Sequence, residues 1–370
     1  MENSNFSPIT ASDLMEKNVK SIRYCIDTFL PTGLVVLAGS PKSGKSFFIY
    51  DMSIHVANGE PFLGYNVNRS SVLYYALEDS ENRLKDRLLG LVEEAPDNLY
   101  IATSAPTLED GLLGQIYSFV ENHTDTRLVI IDTLQKIRKN ADMSYGNDYS
   151  ELASIKTLAD SLDICILVIH HTRKANDADP FNRILGTNGI AGTADTIFVL
   201  DKAPKDTDNA ILYCRGRDIE ERKLKLKRNH DNGAWDLVSD SQTAPEDFLP
   251  QPLMVLLKIM EETEQYHGDN TTLCDKINQH LLRPIQPKAL KQLMNRHRDE
   301  LEKAGLFYED HRSNGKRYID IIYIATCDTM DTSVPNDTCD TTDTSVPNGT
   351  CGTTDTDGIS DTCDMSDILF

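Results

Sequence analysis

The stretch LVVLAGSPKSGKSFFIYDMSIHVA (34–57) decides the fold. It opens with an apolar run typical of a buried strand and closes with a segment of helical length. Between them, GSPKSGKS (39–46) fits the pattern G-x-x-x-x-G-K-[ST], in which backbone N–H groups wrap phosphate oxygens at a helix N-terminus. A Gly- and Ser-rich turn is the alternative, but the flanking strand and helix favour a nucleotide phosphate site.

The chemistry of this loop assigns its residues. Lys45 is expected to neutralise the β- and γ-phosphates, and Ser46 to ligate Mg²⁺. The predicted nucleotide-binding residues are Gly39, Ser40, Pro41, Lys42, Ser43, Gly44, Lys45, Ser46 and Phe47.

Residues 31–240 alternate apolar runs with longer amphipathic stretches, which indicates a mostly parallel α/β sheet. The runs are LVVLAG (34–39), SVLYYALE (71–78), LYIAT (99–103), LVIIDT (128–133), ICILVIHH (164–171), TIFVLD (196–201), AILYCRG (210–216) and KLKLKRN (223–229). The last three follow one another without helix-length gaps. We expect them to form an antiparallel edge that ends near Trp235.

Two carboxylates end predicted strands. Asp132 closes LVIIDT, where it can hold the water shell of a magnesium ion beside Ser46. No Glu follows Asp132, so the group that orients an attacking water must come from elsewhere, and Glu78 at the end of the second strand is the best candidate. The alternative for Glu78 is a helix N-cap role shared with Asp79 and Ser80; Asp79 itself is expected to be structural.

His170 and His171 end another strand at the same predicted edge. There an imidazole can donate to a γ-phosphate and sense its loss. Packing in the core or loop is one alternative, and transition-metal binding is another, although no third ligand has suitable spacing.

Composition limits the class of protein. The chain is 39% hydrophobic and 26% charged, with a net charge of −21 that argues against broad, non-specific nucleic-acid binding. No apolar run reaches the roughly 18 residues of a membrane span, and residues 1–30 lack a secretory signal pattern, so we expect a cytoplasmic protein without membrane contact.

The C-terminal tail differs from the rest of the chain. Residues 327–370 hold ten Asp and no Lys or Arg, and they repeat every twelve residues at Cys327, Cys339, Cys351 and Cys363. We expect a disordered acidic tail, either a solvated extension or a segment that contacts a partner or competes with DNA. All eight cysteines are expected to stay reduced, and no C-x-x-C pair offers a zinc site.

A second folded unit is predicted before the tail. Three helical patterns (252–265, 270–281 and 287–306) precede two alternating strands in FYEDHRSNGKRYIDIIYI (307–324), an order typical of a winged helix-turn-helix. Basic residues are predicted on its recognition helix and wing: Lys288, Lys291, Arg296 and Arg298, then Arg312, Lys316 and Arg317. They suit duplex DNA, although such units also bind proteins.

The predicted organisation has five parts. They are an N-terminal segment (1–30), the α/β domain (31–240), a linker (241–250), the winged-helix domain (251–325) and the acidic tail (326–370).

The motifs GSPKSGKS, YYALED, LVIIDTL, LVIHHTRK and CRGRD together resemble RecA-type P-loop ATPases, closest to the RepA-like hexameric replicative helicases of plasmids and phages. The resemblance covers about residues 20–238. It implies a RecA-like ATPase core that uses ATP with Mg²⁺. It also implies that Lys45 and Ser46 are the Walker-A pair, Asp132 the Walker-B aspartate and Glu78 the catalytic glutamate, with His170 or His171 as sensor.

The resemblance further implies an arginine finger from a neighbouring subunit, for which Arg215 and Arg217 are candidates, and hence a homo-oligomeric ring, expected to be a hexamer. A solvent-facing basic strand is the alternative for these arginines. Family members also thread single-stranded DNA along the loops at 135–150 and 172–195. In this chain the candidate DNA contacts are Lys136, Arg138, Lys139, Arg173, Lys174 and Arg183, with Tyr145 or Phe181 as stacking residues.

The sequence therefore predicts ATP hydrolysis coupled to single-stranded DNA. An ATP-dependent DNA-binding regulator of replication or transcription and an accessory ATPase of a primase are the alternatives. A small-molecule kinase is disfavoured because the histidines and CRGRD indicate oligomeric ATP hydrolysis.

Overall fold

The computed structural model describes residues 8–18, 21–139, 145–172, 177, 179–184, 189–202, 208–313 and 316–325. Arg173, Lys174 and the predicted acidic tail lie outside these residues, as do the side chains of Tyr145, Lys316 and Arg317. Residues 1–326 form one compact unit.

The strands are β1 (Tyr24–Ile26), β2 (Leu30–Pro31), β3 (Gly33–Gly39), β4 (Ser71–Ala76), β5 (Leu99–Ala102), β6 (Thr126–Asp132), β7 (Cys165–His171), β8 (Thr196–Asp201), β9 (Asn209–Gly216), β10 (Arg222–Arg228), β11 (Trp235–Asp240), β12 (Gln265–Gly268), β13 (Leu306–Ser313) and β14 (Lys316–Tyr323). The helices are α1 (Ala11–Glu16), α2 (Lys45–Asn58), α3 (Glu81–Leu91), α4 (Leu112–Asn122), α5 (Tyr145–Leu162), α6 (Gly189–Thr193), α7 (Gln251–Thr263), α8 (Asn270–Asn278), α9 (Pro287–Arg296) and α10 (Arg298–Lys303). Short 3₁₀ helices lie at Leu134–Ile137, Pro180–Arg183 and Pro245–Phe248.

A nine-stranded sheet forms the centre of the molecule, in the order β11-β10-β9-β8-β3-β7-β6-β4-β5. The six strands from β8 to β5 are parallel, which confirms the predicted mostly parallel α/β sheet. Two apolar clusters cover its faces, because alternate residues of β3 point to opposite sides: Val35 and Leu37 belong to one cluster, Leu34 and Val36 to the other.

The antiparallel edge differs in detail from the prediction. β8 pairs parallel with β3, so the antiparallel part consists of β9, β10 and the additional strand β11. Trp235 begins that last strand instead of ending the sheet.

The core also begins earlier than the predicted boundary at residue 31. Cys25, Ile26, Phe29 and Leu30 are fully buried and belong to the same apolar cluster as β3. The predicted N-terminal segment therefore contributes its last residues to the core.

Residues 249–325 have an apolar cluster of their own, built from α7 to α10 and a three-stranded sheet in the order β12-β14-β13. The predicted helices and hairpin are present, but the single helix predicted over 287–306 is interrupted at His297, which leaves the helical conformation (φ −111°, ψ 29°). Arg298 therefore lies on α10 and not on α9. The preceding connection is packed, since Pro245 and Leu249 are buried.

Within the described residues, no helix is both long enough and apolar enough to span a membrane.

Candidate nucleotide-binding site

The loop between β3 and α2 follows the central strand, and its geometry requires small residues. Gly44 has φ +97°, and a Cβ at Gly39 would lie 2.8 Å from the backbone oxygen of Leu200. The strand register places Gly39 opposite His171 of β7 and Leu200 of β8. In a parallel sheet, such strand ends form the edge where ligands bind.

Lys45 is the buried cation of this edge, with only 5% of the residue exposed. Its Nζ donates to the backbone oxygens of Gly39 (2.8 Å) and Ser40 (2.9 Å). Burial lowers the pKa of Lys45 to about 8, although the nearby carboxylates of Asp132 and Glu78 oppose this shift.

Asp132 lies at the end of β6, 4% exposed, and collects two hydroxyls. The Oδ2 of Asp132 accepts from the hydroxyl of Tyr74 at 3.2 Å and lies 3.5 Å from Ser46 Oγ. Burial, and next the charge of Glu78, raise the pKa of Asp132 to about 6. A hydroxyl and a carboxylate side by side are the oxygen ligands that suit Mg²⁺, so the predicted metal residues fit that ion.

Glu78 connects the strand ends. Its Oε1 accepts from Thr133 Oγ1 at 3.1 Å, and its Oε2 lies 3.7 Å from His171 Nε2. His171 Nδ1 in turn lies 3.4 Å from Lys45 Nζ. The side chain of Glu78 is 40% exposed, so a carboxylate oxygen can contact water while its position is held.

The capping alternative for Glu78 does not match this geometry. Ser80 is the N-cap residue of α3, and Asp79 forms ion pairs with Arg83 (3.0 Å) and Arg87. Asp79 thus contacts the helix, as expected of a structural residue, and Glu78 contacts the site.

The two histidines differ in position. His171 bridges Glu78 and Lys45, whereas His170 precedes it on β7, where side chains alternate between the faces of the sheet. Among the described residues, no cluster of potential metal ligands includes either histidine. The site therefore brings together His171 and not His170.

Sequence reasoning missed residues that support the loop. Trp235 Nε1 donates to the backbone oxygen of Gly44 at 3.3 Å. The ring of Phe47 lies between the guanidinium groups of Arg87 (5.3 Å) and Arg228 (4.6 Å), which approach as cation–π partners. Tyr74 and Thr133 were also missed, although they flank the predicted carboxylates in YYALED and LVIIDTL. Trp235 is the single tryptophan of the chain, which was the available signal.

The two candidate finger arginines lie away from the chain's own loop. Arg215 pairs in register with Ile197, near the start of β8, whereas the phosphate loop lies beside Leu200 at its other end. Arg215 binds Glu221 through Nε (3.0 Å) and Nη2 (2.7 Å). Arg217 lies 3.6 Å from Asp195, and its side chain is 63% exposed.

The described part of the predicted DNA loops is less available than expected. Arg138 is only 3% exposed and pairs with Glu151 at 2.7 Å, so it does not face solvent. Phe181 is 8% exposed beneath Arg215, 4.0 Å from the ring centroid, which corrects its assignment as a stacking residue. Arg183 pairs with Asp201 at 2.8 Å.

Two lysines of these loops reach the surface. Lys136 is exposed. Lys139 is exposed too, and lies 3.4 Å from Asp110 and 3.7 Å from Glu109.

The basic residues of the C-terminal helices also divide. Lys288, Arg296 and Arg312 are exposed. Lys291 pairs with Asp310 and lies over the ring of Tyr308. Arg298 lies over the same ring at 4.2 Å and pairs with Glu302 at 3.4 Å.

Residues 2–177 match the family model described as an AAA domain, just under half of the chain. The match includes the loop, Glu78, Asp132 and His171. The chain carries a RecA-like P-loop ATPase domain.

Solved structures with a similarity to this ATPase domain have low identity. The ATPase domain of the gene 40 protein is 16% identical, with 56% of this chain and 85% of that chain covered and a TM-score of 0.47. A KaiC-like protein from the archaeon Pyrococcus horikoshii is 15% identical, with 58% and 94% covered and a TM-score of 0.44. At these TM-scores neither likeness adds to the assignment. The comparison with curated proteins finds no match.

Proposed function

We propose that the protein hydrolyses ATP with Mg²⁺ in a homo-oligomeric, expected hexameric, ring, and couples hydrolysis to binding or translocation of single-stranded DNA. This is the activity of a replicative helicase-like ATPase of a plasmid, phage or other mobile element. The observation that carries the ATPase part is the continuous set of contacts from Lys45 through His171 to Glu78, next to the paired oxygens of Ser46 and Asp132.

Each residue has a role that follows from its contacts. Lys45, exchanging its backbone partners for phosphate oxygens, neutralises charge that develops during phosphoryl transfer. Ser46 and Asp132 hold Mg²⁺, which when bound screens the phosphate charge. Glu78, fixed by Thr133, orients the attacking water. His171 lies between Glu78 and Lys45, so it can relay the state of the phosphate to the strand end.

An oligomer is supported by the position of Arg217. It is exposed at the edge of the sheet opposite the phosphate loop, so it can serve only a neighbour's site as an arginine finger. Arg215 is the second candidate, and Glu221 would have to release it.

Coupling to DNA has weaker support. Lys136 and Lys139 are the exposed cations of the described loop residues, and the charge of the chain is strongly negative. Lys288, Arg296 and Arg312 of the C-terminal unit support a winged-helix contact with duplex DNA. A primase or another replication protein remains the proposed protein partner, and the cytoplasm the proposed location.

The first experiment measures steady-state ATPase activity with and without single-stranded DNA, while light scattering gives the mass of the same sample. We expect a multimer whose turnover rises several-fold with DNA. An unstimulated monomer or dimer would contradict the motor and leave only the ATPase domain.

An ATP-dependent DNA-binding regulator is the second candidate function. The specific observation in its favour is that Arg138 and Arg183 form ion pairs within the chain instead of facing a DNA channel. Slow hydrolysis that DNA does not change, together with duplex binding, would support the regulator.

A further inference from the structure

The small sheet of the C-terminal unit gathers two histidines and an aspartate from its three strands. His267 lies on β12, Asp320 on β14 and His311 on β13. In the register, His267 is directly opposite Asp320, and His311 is opposite Tyr318, two residues away on the same face of β14. The other face of the sheet carries Ile319 and Ile321 and is buried. The cluster therefore stands on a packed, rigid support.

The carboxylate of Asp320 lies between the two imidazoles. His267 Nδ1 contacts Asp320 Oδ1, and His311 Nδ1 lies 3.1 Å from Asp320 Oδ2. One possible ligand atom from each residue lies within 4.8 Å of the other two. The sites of β-strands change little on side-chain rotation, so a small shift brings all three atoms around one ion.

Ring stacking fixes the orientation of both histidines. The imidazole rings of His267 and His311 are 5.6 Å apart between centroids and nearly parallel, at 24°. The ring of Tyr318 stacks on both, at 5.6 and 5.7 Å. Stacking of this kind reduces the rotamer freedom that ligand binding would otherwise remove.

The surroundings are open and acidic. The side chains of His267, His311 and Asp320 are 68%, 40% and 44% exposed, so a hydrated ion can reach them. Glu309 is exposed directly opposite Asp320 on β13 and adds negative charge to the same face. Two imidazole nitrogens with a carboxylate oxygen suit borderline metals such as Zn²⁺ better than Mg²⁺.

We propose that His267, His311 and Asp320 form a binding site for a divalent transition metal ion, with Zn²⁺ as the best-fitting species. Three protein ligands leave a coordination position for water or a further ligand. Because the ligands come from three strands, the ion ties the four-residue β12 to the β13-β14 hairpin. The site lies apart from the phosphate loop and does not depend on the ATPase proposal.

The test is calorimetric titration of Zn²⁺ into the full-length protein. Tail thiols also bind zinc, so every protein in the series carries Ser at the four tail positions, Cys327, Cys339, Cys351 and Cys363. We expect one saturable site in this background. His267→Ala and Asp320→Asn should each weaken it by at least about tenfold, whereas Asp320→Glu should retain it.

His230→Ala is the matched control. His230 is exposed to the same fraction as His267, 68%, and pairs with a single carboxylate, Asp208, at 3.2 Å. Its removal should leave zinc binding unchanged. Zinc should also raise the melting temperature of the background protein but not that of His267→Ala, since binding stabilises only the fold that presents the site.

Two outcomes would overturn the proposal. One is the absence of saturable binding in the background protein, which would leave an ion-pair cluster of histidine and aspartate. The other is equal affinity in the background protein and in His267→Ala/Asp320→Asn, which would place the zinc elsewhere.

Discussion

At the scale of single residues, the phosphate site holds two buried ionisable groups whose pKa values move toward neutrality. Burial lowers the pKa of Lys45 to about 8 and raises that of Asp132 to about 6. In both cases burial disfavours the charged form. Phosphate oxygens and Mg²⁺ would supply the opposite charges, so the site is arranged for its ligands at some cost to the folded chain.

Substitutions at Lys45 and Glu78 should separate binding from turnover. Lys45→Ala removes the cation that meets the phosphates, so hydrolysis should fall below detection. Glu78→Gln retains an oxygen for Thr133 but loses the charge that orients water, so turnover should fall by about 10²- to 10⁴-fold while ATP still binds. ATPase rates and binding of a fluorescent ATP analogue check both.

Glu81→Gln is the matched control for Glu78, because Glu81 is exposed in the first turn of α3. It should retain the wild-type rate. Normal turnover in Glu78→Gln would remove Glu78 from the mechanism.

Asp132→Asn should stabilise the protein in the absence of nucleotide and Mg²⁺. The native pKa of about 6 exceeds the ordinary value of 3.8, so the folded chain holds a proton in this interval that the unfolded chain releases. The resulting stability is complete below pH 4 or so and is lost as the pH rises through about 6. The asparagine should therefore be more stable than aspartate at pH 7, by up to about 3 kcal/mol.

Urea unfolding of both proteins at pH 4.5 and pH 7 measures this difference. The advantage of asparagine should shrink at the lower pH. An advantage of the same size at both values would show that the charge of Asp132 is not its source.

At the scale of helices and strands, the sequence located what short-range pattern determines. The central strands and the loop between β3 and α2 lie where apolar runs and the glycine pattern predicted them. The break at His297 was missed because the segment contains no Pro or Gly at that point, and tertiary packing ends α9 instead. Strand β11 was missed because WDLVSD carries little apolar alternation; it is defined by its pairing with β10.

That pairing brings Trp235 to the phosphate loop, and this contact gives the element-scale prediction. Because the indole donates to Gly44, and Trp235 is the single tryptophan, intrinsic fluorescence should change saturably when ATP binds. Lys45→Ala should abolish the change, and Trp235→Phe should remove the signal without preventing binding. An unchanged spectrum at saturating ATP, with occupancy shown by filter binding, would mean that the loop and β11 do not move together.

At the scale of the whole molecule, residues far apart in sequence decide what single motifs could not. Arg138 and Phe181 had the residue types expected of DNA contacts, but Glu151 of α5 and Arg215 of β9 cover them. Burial of this kind depends on the three-dimensional arrangement, which spacing does not reveal. The same holds for Glu78 and His171, 93 positions apart in the numbering, whose 3.7 Å approach follows only from the strand order.

The sheet order also separates Arg217 from the chain's own Lys45, and this separation yields a test of shared sites. Arg217→Ala and Lys45→Ala should each be inactive alone, but mixed rings should recover activity, because about a quarter of randomly formed interfaces join an intact Lys45 to an intact Arg217. Mixing Glu78→Gln with Lys45→Ala is the control: both residues lie in one site, so no interface is repaired. ATPase rates of rings carrying two purification tags measure the recovery. If verified mixed rings of the first pair stay as inactive as the control, Arg217 does not act on a neighbour, and the same mixing with Arg215→Ala decides whether Arg215 does.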